Sequence, residues 1–422
     1  RHTSKRIRDR LAVERDVVVS ESHMRHVVAR LRKEIRDEYN DAPETVVTVA
    51  QTHVPGGEGE VDWGDFRAVI GGVEMVLKLF VMRLAFSGAG FHRAYSHEAQ
   101  EAFLDGHVRA FEFFGGVPQR ARYDNLKTAV VKVLRGRDRL ENERFALMRS
   151  HYLFDSFFCE PGVNGAHEKG GVEGQIGWFR RNYLVPVPTV DTLEDLNSYL
   201  AEGDIASQQR QLIGRHGSPA AVTVAELLVE DRAALMGMAA EPFATSTRLK
   251  AKVNAKALIC VRQCFYSVPS RLCGTVVTID LFADHFNVTA NGIIVASHTR
   301  AYTRRTETFV LDHYLDVLWK RPGGFAGSTA LVQARATGKF TDIHQRFWDE
   351  ARRAHGDRDG TRVMCEVLLL HRQHDHTAIH AGITAALGVG STDPAVVGVE
   401  CRRVAEHVID PLNIVDPVAQ RP

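Results

Sequence analysis

Apolar positions recur with two different periods along the chain. In residues 4–15 (SKRIRDRLAVER), Ile7 and Leu11 fall four apart, which predicts a short helix. Val17, Val18 and Val19 then predict a brief β-like run. Beyond Ser20 or Ser22, either of which can cap a helix, Met24, Val27, Val28, Leu31 and Ile35 form an apolar stripe at helical spacing. The other face of that helix carries Arg25, His26, Arg30, Arg32 and Lys33. Two short helices with a basic second member are compatible with a helix-turn-helix remnant, or with any small helical hairpin. Residues 37–57 turn acidic and are then punctuated by Pro43, Pro55, Gly56 and Gly57, which predicts a linker.

From residue 58 the period shortens to that of strands. GEVDWGDFRAVIGG and VEMVLKLFVMRLAFSG read as two strands joined by a hairpin at Gly71-Gly72, with HRAYSH as a third. Ala99, Phe103, Val108, Phe111 and Phe114 have helical spacing, and Gly115-Gly116 ends that helix. A strand over 119–124, a helix over 140–152, a strand in FDSFFCEP and a helix from Ala166 to Tyr183 follow. This succession predicts an α/β unit with a mixed sheet. Residues 191–240 read as mostly helical. Five short β-branched runs over 256–300 suggest a small barrel. Helices are expected at 311–319, 329–337, 341–354 and 361–386, and a loosely ordered tail after Gly388.

Composition narrows the class. With 422 residues, 44% of them apolar and 25% charged, the chain can bury several cores, so disorder throughout is excluded. No run of 18 apolar residues predicts a membrane span, and no signal segment opens the chain. Six scattered cysteines do not make a disulfide scaffold, which points to a reducing cytoplasm. An opening Arg1 in place of Met reads as a processed chain or a fragment.

The net charge of +1 selects no partner, but its distribution does. Residues 1–36 hold eleven basic against five acidic side chains, 119–139 seven against two, and 248–279 six against none. Three separated basic stretches suggest anionic contacts, nucleic acid first, with solvated faces as the plain alternative. Arg25, Arg30, Lys33, Arg122, Lys127, Lys250 and Lys252 are the candidate phosphate partners.

Three acids stand out by context. Asp62 lies in a strand where Glu60, Asp62 and Gly64 face one way and Val61, Trp63 and Asp65 the other. Asp124 ends a later strand, and Glu173 lies near the start of a helix. Acids from a strand centre, a strand end and a neighbouring helix can converge at an open sheet, where hard divalent cations want oxygen ligands. Glu60, Asp65, Asp155, Glu160 and Glu168 are their structural competitors. Arg180 follows Glu173 by seven residues, about 700° of rotation and roughly 20° short of two turns, so it is expected on the same helix face, where a phosphate could lie. Lys169 is a further candidate on this segment, less well placed.

The series VDWGDF, YDNLKTAV and PGVNGAHEKGGVEGQIGWFRRNYLVP resembles the catalytic core of the IstA-type transposases. Sixty-one residues separate Asp62 from Asp124, and forty-eight separate Asp124 from Glu173, in keeping with that family. TVAELLVEDRAALM (223–236), FYSVPSRLCGTVVTIDLFADHFNV (265–288) and LLLHRQH (368–374) extend the likeness over most of the chain. The resemblance implies a DDE polynucleotidyl transferase with an RNase H-like core, a helix-turn-helix remnant, a small SH3-like β-barrel and a helical C-terminal region. It implies that Asp62 bridges two Mg²⁺ ions while Asp124 and Glu173 hold one each, with Mn²⁺ able to substitute. It also implies double-stranded DNA as substrate (terminal inverted repeats and target), a homo-oligomer of two or four chains, and an IstB-type AAA+ ATPase helper in a bacterial cytoplasm. The corresponding boundaries are 1–45, 46–190, 191–247 (a helical linker), 248–305 and 306–422. Only the latter part of the family's DNA-binding region fits after Arg1. A catalytically silent DNA-binding subunit and a hydrolase that cuts without joining are the rival readings.

Other features read plainly. Cys260, Cys264 and Cys273 have poor zinc spacing. His371, His374, His376 and His380 read as a surface helix face, with no nearby acid to complete a site. Gly338-Lys339 lacks the rest of a P-loop, so any ATP dependence must come from a partner. Leu315, Leu318, Leu368, Leu369 and Leu370 are either a protein-contact surface or a local core.

Overall fold

A computed structural model describes residues 4–39, 52–123, 130–133, 139–159, 170–212 and 220–409. Its longest pairing grows from a two-residue turn. Strands β1 (Glu58–Ile70) and β2 (Val73–Leu84) pair antiparallel from Gly59↔Leu84 to Ile70↔Val73. Gly71 and Gly72 between them have φ of 56° and 81°, the left-handed backbone that such a turn demands. β3 (Gly90–Tyr95) continues antiparallel, whereas β4 (Arg120–Tyr123) and β7 (Asp155–Phe158) lie parallel on the other side. The order is β3-β2-β1-β4-β7, and β8 (Thr189–Val190) adds to the far end of β1. β5 (Val130–Val133) and β6 (Arg139–Glu141) form a separate hairpin.

The strand period of two sorts the sheet into two faces. Val61, Phe80, Met82 and Tyr123 pack with α3 (Gln100–Phe114) and α4 (Glu143–Tyr152). Phe66, Ala68, Leu77, Leu79 and Val81 pack with α5 (Gly170–Tyr183) and α6 (Leu193–Ser207). α3 ends at Gly115, whose φ of 80° provides the left-handed cap. Beyond the small pair β9 (Gln211–Leu212) and β10 (Val222–Thr223), α7 (Val224–Ala234) starts on a Thr223/Glu226 capping box. The buried Asp231 of α7 accepts the backbone N–H groups of Gly56 (2.8 Å) and Ser87 (3.0 Å). Leaving either buried donor unmade costs about 1–3 kcal/mol.

Helices α1 (Ser4–Arg15) and α2 (Glu21–Tyr39) form as expected, and the Ser20 hydroxyl accepts the His23 N–H at 3.3 Å. The valine run between them forms no strand. Val17 and Val18 are exposed, and no strand pairs with them. Among the described side chains of the apolar stripe on α2, Met24 and Val28 are buried, Val27 is half-buried and Leu31 is exposed.

The chain falls into two compact units, residues 1–247 with 282–284, and 248–281 with 285–422. In the second, β11 (Thr247–Lys252), β14 (Val276–Leu281), β15 (His285–Ala290) and β16 (Ile293–Thr299) form one sheet. β12 (Leu258–Val261), β13 (Cys264–Ser267) and β17 (Glu307–Thr308) form another. Val261, Tyr266, Val277, Ile279, Phe286 and Val288 fill a core of this β region. β11 and β17 are additions to the five strands expected.

The helical part comprises α8 (Leu315–Lys320), α9 (Thr329–Ala336), α10 (Asp342–Leu369, broken at Gly356), α11 (His376–Gly388) and α12 (Pro394–Ile409). Two expectations are corrected here, and one open alternative is decided. The helix expected over 361–386 is split at 370–375, because Asp375 caps a new helix through the Ala378 N–H (2.8 Å). Within the tail after Gly388, residues Pro394–Ile409 are helical, and 410–422 lie outside the described residues: Pro394 opens α12 at the position where proline is tolerated, and Val397 and Cys401 are buried against α11. A Cβ on Gly382 would lie 2.7 Å from the Val397 carbonyl oxygen, so glycine permits the close approach. Leu315, Leu318 and Leu368 are buried in the local core and offer no contact surface. Among the described residues no helix is long and apolar enough to cross a membrane.

His107 in α3 gives a pH test of the first unit. Its Nδ1–H donates to the Phe103 carbonyl (2.7 Å), and the Tyr123 hydroxyl donates to Nε2 (2.8 Å). Burial pushes its pKa down to about 4. The unfolded chain therefore takes this proton first as pH falls. The stabilisation is whole above the ordinary value of 6.5 and is lost between 6.5 and about 4. A difference of that size corresponds to roughly 3 kcal/mol. Urea unfolding of the His107→Gln variant should lose correspondingly less stability across that range than the parent chain.

Candidate active site

Asp62 sits near the middle of β1, half-buried, and the Trp63 N–H donates to its Oδ1 at 2.8 Å. Two residues on, Gly64 shares its sheet face. A Cβ at Gly64 would lie 3.1 Å from Ile176 Cγ2, so α5 crosses β1 here at close range. Position 173 lies three residues before Ile176, in the first turn of α5, with its side chain outside the described residues. On the other edge of β1, β4 ends at Tyr123, paired with Val61 one residue before Asp62. Asp124 comes next in sequence and lies outside the described residues.

α5 is anchored firmly downstream. Phe179 stacks on His92 with centroids 3.6 Å apart and planes 13° apart. His92 is held by buried Asp204, which accepts its N–H (2.7 Å) and bonds Nδ1 (2.5 Å). Burial lifts the Asp204 carboxyl above its ordinary pKa, and His92 opposes that shift. Arg210 donates to Gln175 (3.3 Å) and lies over the Trp178 ring.

The competing acids have other work. Glu60 shares the face of Asp62 but is buried against Arg83 at 2.8 Å. Glu58 holds Arg120 (2.7 Å) and Arg122 (2.8 Å), whose guanidinium groups both lie over the Phe157 ring. Asp65 pairs with Lys78 at 2.7 Å. Asp155 is exposed at the start of β7, and Glu160 and Glu168 lie outside the described residues. These cross-strand pairs carry no signal in sequence spacing, since they need the strand register.

The basic candidates are dispersed. Arg25 and Arg30 are exposed on α2 and paired with Glu21 (2.5 Å) and Glu34 (3.7 Å). Lys33 lies on α2 with its side chain outside the described residues, as Lys127 and Lys169 are entirely. Arg122 is drawn in by Glu58, its side chain only 13% exposed. Arg180 is exposed and lines a cleft of about 320 Å³ with Asp65, Phe66 and Arg67, three to five residues beyond Asp62 on β1. Lys250 and Lys252 are both exposed on β11, because the alternate residues Leu249 and Ala251 turn toward the core.

Residues 238–310 match the family model of the Mu transposase C-terminal domain. Over 371 residues the chain is 32% identical to a transposase of Aminobacter aminovorans, covering 86% of this chain and 70% of that one. The chain belongs to the transposase family. It is also 33% identical over 338 residues to the transposase for insertion sequences IS1326/IS1353 of Pseudomonas aeruginosa, covering 78% of this chain and 63% of that relative. Among solved structures it is similar to the HTLV-2 integrase catalytic core domain in complex with magnesium. The identity there is 15% and the TM-score 0.30, over 42% of this chain and 97% of that one.

In this transposase the Glu60–Arg83 pair lies beside Asp62, with side chains 5% and 12% exposed. Removing one partner strands a buried charge, which costs roughly 3–5 kcal/mol. Arg83→Met should lose stability on that scale in urea unfolding, and adding Glu60→Gln should recover most of it. A single variant as stable as the parent would show that the pair does not hold this end of the sheet.

Proposed function

We propose that this chain is an IstA-type DDE transposase, which nicks DNA at insertion-sequence ends and joins the exposed 3′-hydroxyl to target DNA. The observation that carries this reading is the meeting of β1, β4 and α5. The β1–β4 register stops one residue short of Asp62 on one strand and of Asp124 on the other. The Gly64–Ile176 approach brings the first turn of α5, and so position 173, toward the same face. Three antiparallel strands followed by two parallel ones, in the order found here, support the reading as an RNase H-like core.

The donor set suits hard cations. Asp62, Asp124 and Glu173 offer carboxylate oxygens only, while the neighbouring Glu58 and Glu60 are already matched by arginines. Two Mg²⁺ ions bound there, or Mn²⁺ in their place, would polarise the scissile phosphate and stabilise the leaving oxygen. The chain's own part is to position. The Trp63 N–H orients the Asp62 carboxylate, and the Phe179–His92–Asp204 stack fixes α5. Helices α1 and α2, as a helix-turn-helix remnant within 1–45, and the SH3-like barrel at 248–305 would contact DNA phosphates. The helical segment 191–247 would connect the catalytic core at 46–190 to that barrel, with 306–422 as the helical C-terminal region. Joining two ends to one target calls for a homo-oligomer. An IstB-type ATPase would supply ATP hydrolysis in the bacterial cytoplasm.

Replacing Asp62 or Asp124 by Asn, or Glu173 by Gln, should abolish cleavage and strand transfer with Mg²⁺ while leaving end binding within about twofold, because binding rests on phosphate contacts elsewhere. Full activity in any of the three sinks the assignment. Cleavage without joining by the parent chain selects the hydrolase, and binding without cleavage selects the architectural subunit. Lys250→Gln and Lys252→Gln should each flatten the slope of log K against log salt by roughly 0.9 if each lysine holds a phosphate. An unchanged slope makes β11 an ordinary solvated edge.

A further inference from the structure

Four imidazoles from three separate stretches of the second unit meet in one place. His344 lies in the first turn of α10, His371 in the turn that follows it, and His376 and His380 at the start of α11. His344 is 5.7 Å from His371 and His376 and 5.1 Å from His380, measured between ring centroids. One ring nitrogen from each of His344, His371 and His376 lies within 4.8 Å of the other two. The Nε2 atoms of His344 and His371 are 3.4 Å apart.

We propose that His344, His371 and His376 bind a divalent transition-metal ion, best matched by Zn²⁺, with water in the fourth position. An all-imidazole donor set excludes Mg²⁺ and Ca²⁺ as natural occupants and suits Zn²⁺. Tetrahedral Zn–N bonds of about 2.0–2.1 Å set ligand nitrogens roughly 3.4 Å apart, the separation that His344 and His371 already have. His376 is exposed at the first residue of α11 and can swing in.

Two of the three ligands are held neutral. Burial first, then mutual repulsion among the rings, pushes His344 down to about 3 and His371 to about 4, so both keep a lone pair at neutral pH. Thr341 completes the arrangement. Its N–H donates to His344 Nδ1 at 3.2 Å, and its hydroxyl lies 2.9 Å from that nitrogen. With Nδ1 accepting from the Thr341 N–H, the metal-free ring carries its proton on Nε2. Ligation through Nε2 requires the other tautomer, in which the Thr341 N–H gives up Nδ1 and the Thr341 oxygen accepts the Nδ1 proton while the same hydroxyl donates to His380 Nε2 (2.8 Å). Such an ion would staple the start of α10, the turn at 370–372 and the start of α11.

The test is titration of the full chain with Co²⁺ in excess Mg²⁺, read by the visible d–d bands of four-coordinate cobalt. One equivalent is expected. His371→Ala and His376→Ala, neither at a buried position, should each weaken binding at least tenfold, and Asp62→Asn should leave it unchanged. Zn²⁺ should bleach the bands and raise the melting temperature of the parent chain but not of the two histidine variants. Absence of the bands, their survival in both variants, or their loss in Asp62→Asn would overturn the site.

Discussion

Strand β1 is the constraint on which the first unit depends. It is paired with β2 along its length, with β4 at its start and with β8 at its end. Both faces are covered, so its period of two cannot slip by one residue without exchanging Val61 and Trp63 for Asp62 and Gly64. Gly64 sharpens this. With 3.1 Å between a notional Cβ and Ile176, even alanine would press on α5, so the height of α5 above the sheet is set by a missing side chain. Asp62 is thus placed by backbone pairing, and the helix beside it by a close contact two residues away.

Four buried carboxylates of this unit are each spent on holding something. Asp231 and Asp204 accept backbone N–H groups from segments far away in sequence, tying helices to strand ends. Glu58 and Glu60 hold arginines across strands. Desolvating such groups is costly unless they are paired. On the Asp62 face, Glu58 and Glu60 are thereby committed to arginines.

Local chemistry made much of this legible. The Gly71-Gly72 turn, the end of α3 at Gly115 and the strand faces of β1 follow from backbone preference and period alone. The candidate site was less so: alternation fixed only the face of Asp62, context at a strand end and a helix start marked Asp124 and Glu173 among competing acids, and the family resemblance set the three apart. What the sequence hid is tertiary. A cap at Asp375 broke a helix whose apolar spacing ran on, and a proline-led tail became α12 once α11 offered Gly382 as a seat. His344 stands 27 residues from His371, so no period in the chain could have joined the two.

β11 shows how one pattern can serve two needs. It is the edge strand of its sheet, with Arg248, Lys250 and Lys252 on its exposed face. Lysines on an edge strand discourage pairing with another chain, whatever else they do. A basic edge is also a ready track for phosphates. Arg248 is partly committed, paired with Asp280 at 2.8 Å across to β14. Protection of the edge needs charge of either sign, and acidic residues would serve it as well. That the exposed positions of this strand are all basic, in a stretch from 248 to 279 with no acid, is what edge protection alone does not explain.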